Sequence, residues 1–214
     1  MVKVCRWKHY KDSEISPAIW EGIDPVLIDN YPWDENGYKP KVEARFCYTE
    51  SRLYLHFTSY ESEIRAVYRN MNEPVYTDSC VEFFFNPDPD KDDRYFNFEI
   101  NAIGTLLLEL GSGRNNRLMI QDVSQAIFNI KSSISPDSAV EYRDDAWTLE
   151  FSIPYSFIEK YYGKQDFSSG KVMKGNFQKC GDMTKFPHYG SWNRIETPEP
   201  DFHRPEYFGD LILD

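Results

Sequence analysis

The sequence predicts an all-β fold, an antiparallel β-sandwich of jelly-roll or immunoglobulin-like type with one short helix. Three observations predict it. Apolar and polar residues alternate in several short runs, the period of a half-buried strand. Clusters of Pro, Gly, Asn and Asp separate those runs. Aromatic residues make up 16% of the chain, with fifteen Tyr and fifteen Phe, and rings pack well on a pleated surface.

The elements follow in order. Residues 20–39 are rich in Pro, Asp, Asn and Gly and read as irregular. In residues 41–48, Val42, Ala44, Phe46 and Tyr48 alternate with Lys41, Glu43, Arg45 and Cys47. After Thr49, Glu50 and Ser51 the pattern resumes, with Leu53, Leu55 and Phe57 set against Arg52, Tyr54 and His56. Two such runs across a short polar turn make a hairpin. Residues 79–86 are apolar on both faces, which places that strand centrally in a sheet. The stretch 86–93, with two prolines and four aspartates, must turn. Residues 95–101 and 105–110 form a second hairpin around Gly104. Residues 126–133 and 146–153 are read as further strands, and 171–179 and 207–213 as closing ones. A helix fits 154–162, with Pro154 near its start and Gly163 just past its end.

The chain has 214 residues, ordinary for one sandwich, so 1–214 is read as a single domain. Its formal net charge of −11 argues against nucleic acid and anionic membranes as partners, because phosphate repels such a surface. No run approaches the ~20 apolar residues of a membrane span. The first residues lack the apolar core of a secretory signal, so a cytoplasmic location is expected, unless the chain is trimmed from a secreted protein. Cys5, Cys47, Cys80 and Cys180 form no paired motif, and Cys47 and Cys80 are expected as buried free thiols in strands.

Alternation also defines a polar face. Asn97, Glu99 and Asn101 point away from Phe96, Phe98 and Ile100. Glu82 and Phe84 share a face opposite Val81, Phe83 and Phe85, and Glu150 is outward on its own strand. Carboxylates, amides and rings on one surface suit a sugar, whose hydroxyls need acceptors and whose C–H faces need flat rings. A solvated sheet face fits the same pattern.

The run Tyr76-Thr-Asp-Ser-Cys-Val-Glu-Phe-Phe-Phe-Asn-Pro87 resembles the central strand of family 9 carbohydrate-binding modules. Residues 95–101 resemble the next strand, and Ser191-Trp192-Asn193 with residues 201–213 resemble the family's closing segment. The resemblance runs from about Ile15 to the C-terminus and is nearest to the group described as carbohydrate-binding family 9-like. It implies a jelly-roll sandwich without catalysis, calcium in some members, association with carbohydrate-degrading systems, and recognition of glucan or xylan chain ends between two Trp rings. By position Glu82 and Asn101 match the family's polar residues, while Tyr76 and Phe202 stand where the clamping Trp rings are expected and Glu99 replaces an Arg. The expected sugar-binding set is therefore Tyr76, Glu82, Glu99, Asn101, Arg114, Trp192 and Phe202.

Other chemistry has candidates too. Asp88, Asp90, Asp92 and Asp93 could hold calcium, which favours clustered carboxylate oxygens, or could form a solvated acidic turn. A jelly-roll glycoside hydrolase would draw a carboxylate pair from Glu82, Glu99 and Glu150. A haem-binding sandwich would need a His and a Met, with His56 in a strand and Met119 in a loop. His188 and His203 fit either hydrogen-bonded loop residues or the rim of a sugar site. Ser191 lacks a nucleophile-elbow context, and the turn 111–114 lacks the strand-to-helix setting of a phosphate loop.

Overall fold

The computed structural model describes residues 3–214. Its strands are β1 (Val4–His9), β2 (Val26–Leu27), β3 (Val42–Tyr48), β4 (Arg52–Ser59), β5 (Cys80–Asn86), β6 (Tyr95–Asn101), β7 (Leu106–Gly111), β8 (Leu118–Met119), β9 (Lys131–Ser132), β10 (Trp147–Pro154), β11 (Val172–Cys180), β12 (Tyr189–Ser191) and β13 (Gly209–Leu213). The helix α1 spans Tyr155–Tyr162 and ends at Gly163, which takes a φ of 70° that glycine adopts without strain. No helix among the described residues is long and apolar enough to cross a membrane.

The strands join in one path, β8-β7-β6-β5-β11-β13-β1-β3-β4-β10-β9. The path curls at β1, whose first residues pair with β13 and whose last two pair with β3. Its two halves then face each other across a shared aromatic core. Phe177 of β11 stacks on Phe46 of β3 at 5.2 Å, and Phe98 of β6 on Phe151 of β10 at 5.8 Å. Val81, Phe83 and Phe85 enter this core, and β5 lies between β6 and β11, as expected of a strand apolar on both faces.

Two readings need correction. Both ladders of β1 are parallel, so the sandwich is not wholly antiparallel. The N-terminal strand has no hairpin partner in sequence and enters the sheet edge-on between two distant strands. Residues 126–133 are not one strand. Ser124 Oγ accepts from the Ala126 amide and starts a short 3₁₀ turn at Gln125–Phe128. Asn129 then turns left-handed at φ 49°, leaving only β9. The hairpin at 49–51 forms as expected, because Thr49 Oγ1 accepts from the Ser51 and Arg52 amides.

The outer face of β5, β6, β7 and β11 is not solvated. Loops from 60–78 and 193–208 cover it with a second apolar cluster that includes Val75, Phe84, Tyr95, Ile195, Phe202 and Phe208. The buried Asp78 carboxylate holds the first loop down. It accepts from the Val67 and Tyr68 amides at 2.9 and 3.1 Å, from Asn101 Nδ2 at 2.9 Å, and from Arg65.

Candidate functional site

The covering loops leave a cleft of about 420 Å³ over β5, β6 and β7. Its floor comes from strand residues that the pleat points outward: Glu82 and Phe84 of β5, Glu99 of β6, Leu107 and Glu109 of β7, and Cys180 of β11. Tyr189 comes from β12, and the connecting segments add Tyr76, Arg114, Asp182, Asp201, Phe202 and His203. Tyr76 is 40% exposed, so its ring is open to a ligand.

Glu82 and Glu99 stand directly opposite each other on paired strands. Like charges so placed repel unless one is neutralised. Both side chains are buried, and one oxygen of each is partnered: Glu82 Oε1 accepts from Cys180 Sγ at 2.8 Å, and Glu99 Oε1 from Asn97 Nδ2 at 2.8 Å. The Oε2 atom of each has no partner within the chain. The unpartnered row continues along β11 and β12, where both amide atoms of Gln178 and the Oγ of Ser191 are also unsatisfied. Burial holds the Glu82 carboxyl well above the usual range, with Glu99 reinforcing it. Burial likewise raises Glu99 to about 7, with Glu109 adding and the Asn97 bond opposing, and raises Asp182 to about 6. His203 is pushed down to about 3 by burial and by the nearby Arg117 and Arg114. It meets Tyr95 Oη through Nδ1 at 3.0 Å.

Five of the seven expected sugar-binding residues meet in this cleft: Tyr76, Glu82, Glu99, Arg114 and Phe202. Two do not. Asn101 is fully buried and committed, donating to the Tyr68 carbonyl and Asp78 and accepting from the Thr105 amide, so it fixes a loop. Trp192 packs edge-on against Phe177 in the main core and fills the space beside Gly209. The expected metal set is not assembled either. Asp88 accepts from Lys91 and Gln165, and Asp92 is clamped by Arg94, so these two carboxylates are engaged within the chain. Among the described residues the metal-type side chains that converge are Cys80, Glu82 and Cys180. Burial raises both thiols, Cys80 to about 12 and Cys180 well above its ordinary value, which keeps them protonated in the chain as it stands. Glu150 lies on β10 in the other half of the sandwich, bonded to Trp20 Nε1 and Lys131, away from Glu82 and Glu99. His56 is also in that half, stacked on Trp20, whereas Met119 borders the cleft, so the haem pair is not brought together.

Sequence reasoning missed Glu109, Asp182, Tyr189 and Gln178. Glu109 and Gln178 were open to the alternation argument, since each points outward on a strand beside a residue already chosen. Asp182 and Tyr189 reach the cleft from the two ends of the β11–β12 connection, whose path no local pattern encodes. A buried network anchors that loop. Lys179 Nζ donates to His188 Nε2 at 2.8 Å and to the Cys180 carbonyl at 2.9 Å, and lies 3.1 Å from Glu61 Oε2. Glu61 also accepts from Trp147 Nε1 and Ser59 Oγ, each at 2.9 Å.

The family model for carbohydrate-binding family 9 matches residues 19–213, nearly the whole chain. The chain belongs to carbohydrate-binding family 9. A Bacteroides uniformis protein, described as a candidate carbohydrate-binding protein, is 32% identical to this family 9 domain. The match covers 100% of both chains, with a TM-score of 0.84. Structures of a family 9 module of Caldicellulosiruptor kristjanssonii with glucose and with cellotriose share 14% and 13% identity. Their TM-scores are 0.63 and 0.62 over 99% of this chain and 96% and 93% of theirs, a likeness of fold. No curated protein matches the sequence.

Proposed function

We propose that this family 9 domain binds a carbohydrate in the cleft over β5–β7 and leaves it chemically unchanged. One observation carries the reading. Buried carboxylate oxygens without a partner lie on the floor of a cleft whose walls include the rings of Tyr76, Tyr189 and Phe202. Rings can stack on the C–H faces of a sugar, and the floor accepts from its hydroxyls. A short segment or chain end of a plant-type polysaccharide such as glucan or xylan is the ligand class we favour. Family membership and the glucose and cellotriose held by the Caldicellulosiruptor module support that choice.

A glycan array probed with and without calcium tests the proposal. Binding that is lost in Glu82→Gln and Tyr76→Ala, with melting temperatures retained, is the expected result. Failure to retain any glycan overturns it.

The facing Glu82 and Glu99 favour a second reading, hydrolysis by a carboxylate pair. Retaining glycosidases place an acid and a nucleophile about 5–5.5 Å apart, one on each side of the scissile bond. Here both carboxyls rise from neighbouring strands of one floor, and burial favours their neutral forms over the ionised nucleophile that reaction needs. Turnover of aryl glycosides that disappears in Glu82→Gln would establish hydrolysis in place of simple binding.

A further inference from the structure

We propose that the cleft selects a sugar bearing a free primary amine, its ammonium held between the unpartnered Oε2 atoms of Glu82 and Glu99. This rests on the carbohydrate reading above and narrows it to a ligand class.

The first argument is the count of hydrogen-bond donors. Two carboxyl oxygens, on side chains 3% and 4% exposed, lack partners and belong to residues paired across adjacent strands. Leaving such acceptors unmatched is costly. A hydroxyl has one proton to give. An ammonium has three, in a compact head, and can serve both oxygens at once.

The second argument is charge. The lining of the cleft holds five carboxyl groups, Glu82, Glu99, Glu109, Asp182 and Asp201, against the single guanidinium of Arg114. Arg114 is already paired with Asp201 at 3.1 Å. Arg117, beneath Tyr95, is spent on Asn97 Oδ1, on the Tyr95 and Gly113 carbonyls and on Glu109. Lys179, on the opposite face of β11, is taken by Glu61, His188 and the Cys180 carbonyl. Neither Glu82 nor Glu99 has a salt-bridge partner among the described residues. Burial favours their neutral forms in the chain alone, and an ammonium placed between them supplies the charge that lets them ionise. Charge-assisted bonds of this kind are about twice as strong as neutral ones. The open Tyr76 ring adds a face that attracts cations. N-acetylation removes both the charge and the spare donors, so acetylated amino sugars should be rejected.

The test is calorimetric titration of the whole chain at about pH 7 with matched pairs: glucose and glucosamine, galactose and galactosamine, mannose and mannosamine. N-acetylglucosamine, ethanolamine and calcium chloride complete the set. We expect at least one amino sugar to bind about tenfold or more tighter than its hydroxyl partner and than N-acetylglucosamine. Glu99→Gln, and separately Glu82→Gln, should bring that ratio to about one, with folding checked by circular dichroism. Equal affinity for the members of every pair overturns the amine inference and leaves carbohydrate binding standing. No binding of any sugar, alone or as an oligosaccharide on the array, overturns both. Ethanolamine or calcium binding as tightly as the best amino sugar shows a simple cation site and overturns the inference.

Discussion

Replacing Lys179 by Met tests the buried network behind the site. Lys179 and Glu61 are 0% and 1% exposed at their side chains, so water cannot screen either. All three ammonium protons have acceptors, at 2.8, 2.9 and 3.1 Å. Met fills much the same volume but leaves the Glu61 carboxylate without its cation, with the neutral donors Trp147 Nε1, Ser59 Oγ and Ser79 Oγ still close by, and leaves His188 Nε2 without its donor. Breaking one half of a buried ion pair costs about 3–5 kcal/mol, and this pair has no solvent to retreat to. We expect Lys179→Met to lose an amount in that range by urea denaturation. The double variant Lys179→Met/Glu61→Gln should recover about half of it, because the orphaned charge is gone. In the single variant ligand affinity should also fall, since the β11–β12 connection, with Asp182 and Tyr189 at its ends, is tied down through His188. A loss below about 1 kcal/mol, or strict additivity of the two substitutions, would refute the reasoning.

The remaining expectations concern the floor, the acidic turn and the sheet. With Glu99 raised to about 7, the stability tied to its protonated form is full below the ordinary carboxylate range and lost as pH rises through about 7. Glu99→Gln should therefore gain on the parent between about pH 5 and 8, by up to about 3 kcal/mol, read from urea midpoints. His203 and His188, pushed down to about 3 and about 4, act in the opposite sense. Their contribution is present above about pH 6.5 and is lost as pH falls, so it flattens the parent's profile without touching the difference. Added calcium or chelator should leave the melting temperature unchanged, because Asp88 and Asp92 of the turn at 88–93 are already engaged by Lys91, Gln165 and Arg94. Gly209→Ala should cost about 1–3 kcal/mol by overpacking. A Cβ there would stand 2.7 Å from the Lys3 carbonyl oxygen and nearer still to the Trp192 ring.

Most strands were legible because alternation is a local property. The pairs around Thr49 and Gly104 carry both the pleat and the turn chemistry in adjacent residues. The strand β1 shows the same signal, with Cys5 and Trp7 buried between Arg6 and Lys8, but its partners lie far away and it has no turn to announce it. Residues 126–133 misled because Ala126, Ile127 and Phe128 are apolar in a row, and a capping Ser124 decided for a turn instead. In the site, Glu82 and Glu99 could be found because outwardness follows from parity. Whether an outward residue meets solvent, a ligand or a covering loop does not. Asn101 has the same parity as Glu99 and ends bonded to Asp78, since the loop 60–78 closes over its end of the strand. Trp192 sits inside for a similar reason: Gly209 opens room for its ring in the core.

The parallel pairing of β1 with β13 has a consequence for synthesis. The strand β13 is wedged between β11 and β1, and its pairing with β1 joins the two halves of the sandwich. A ribosome must release residues 209–213 before that pairing can form. Until then residues 4–7 of β1, with the large Trp7 ring, lack their strand partner. Folding of this domain should therefore finish only after β13 has emerged from the ribosome.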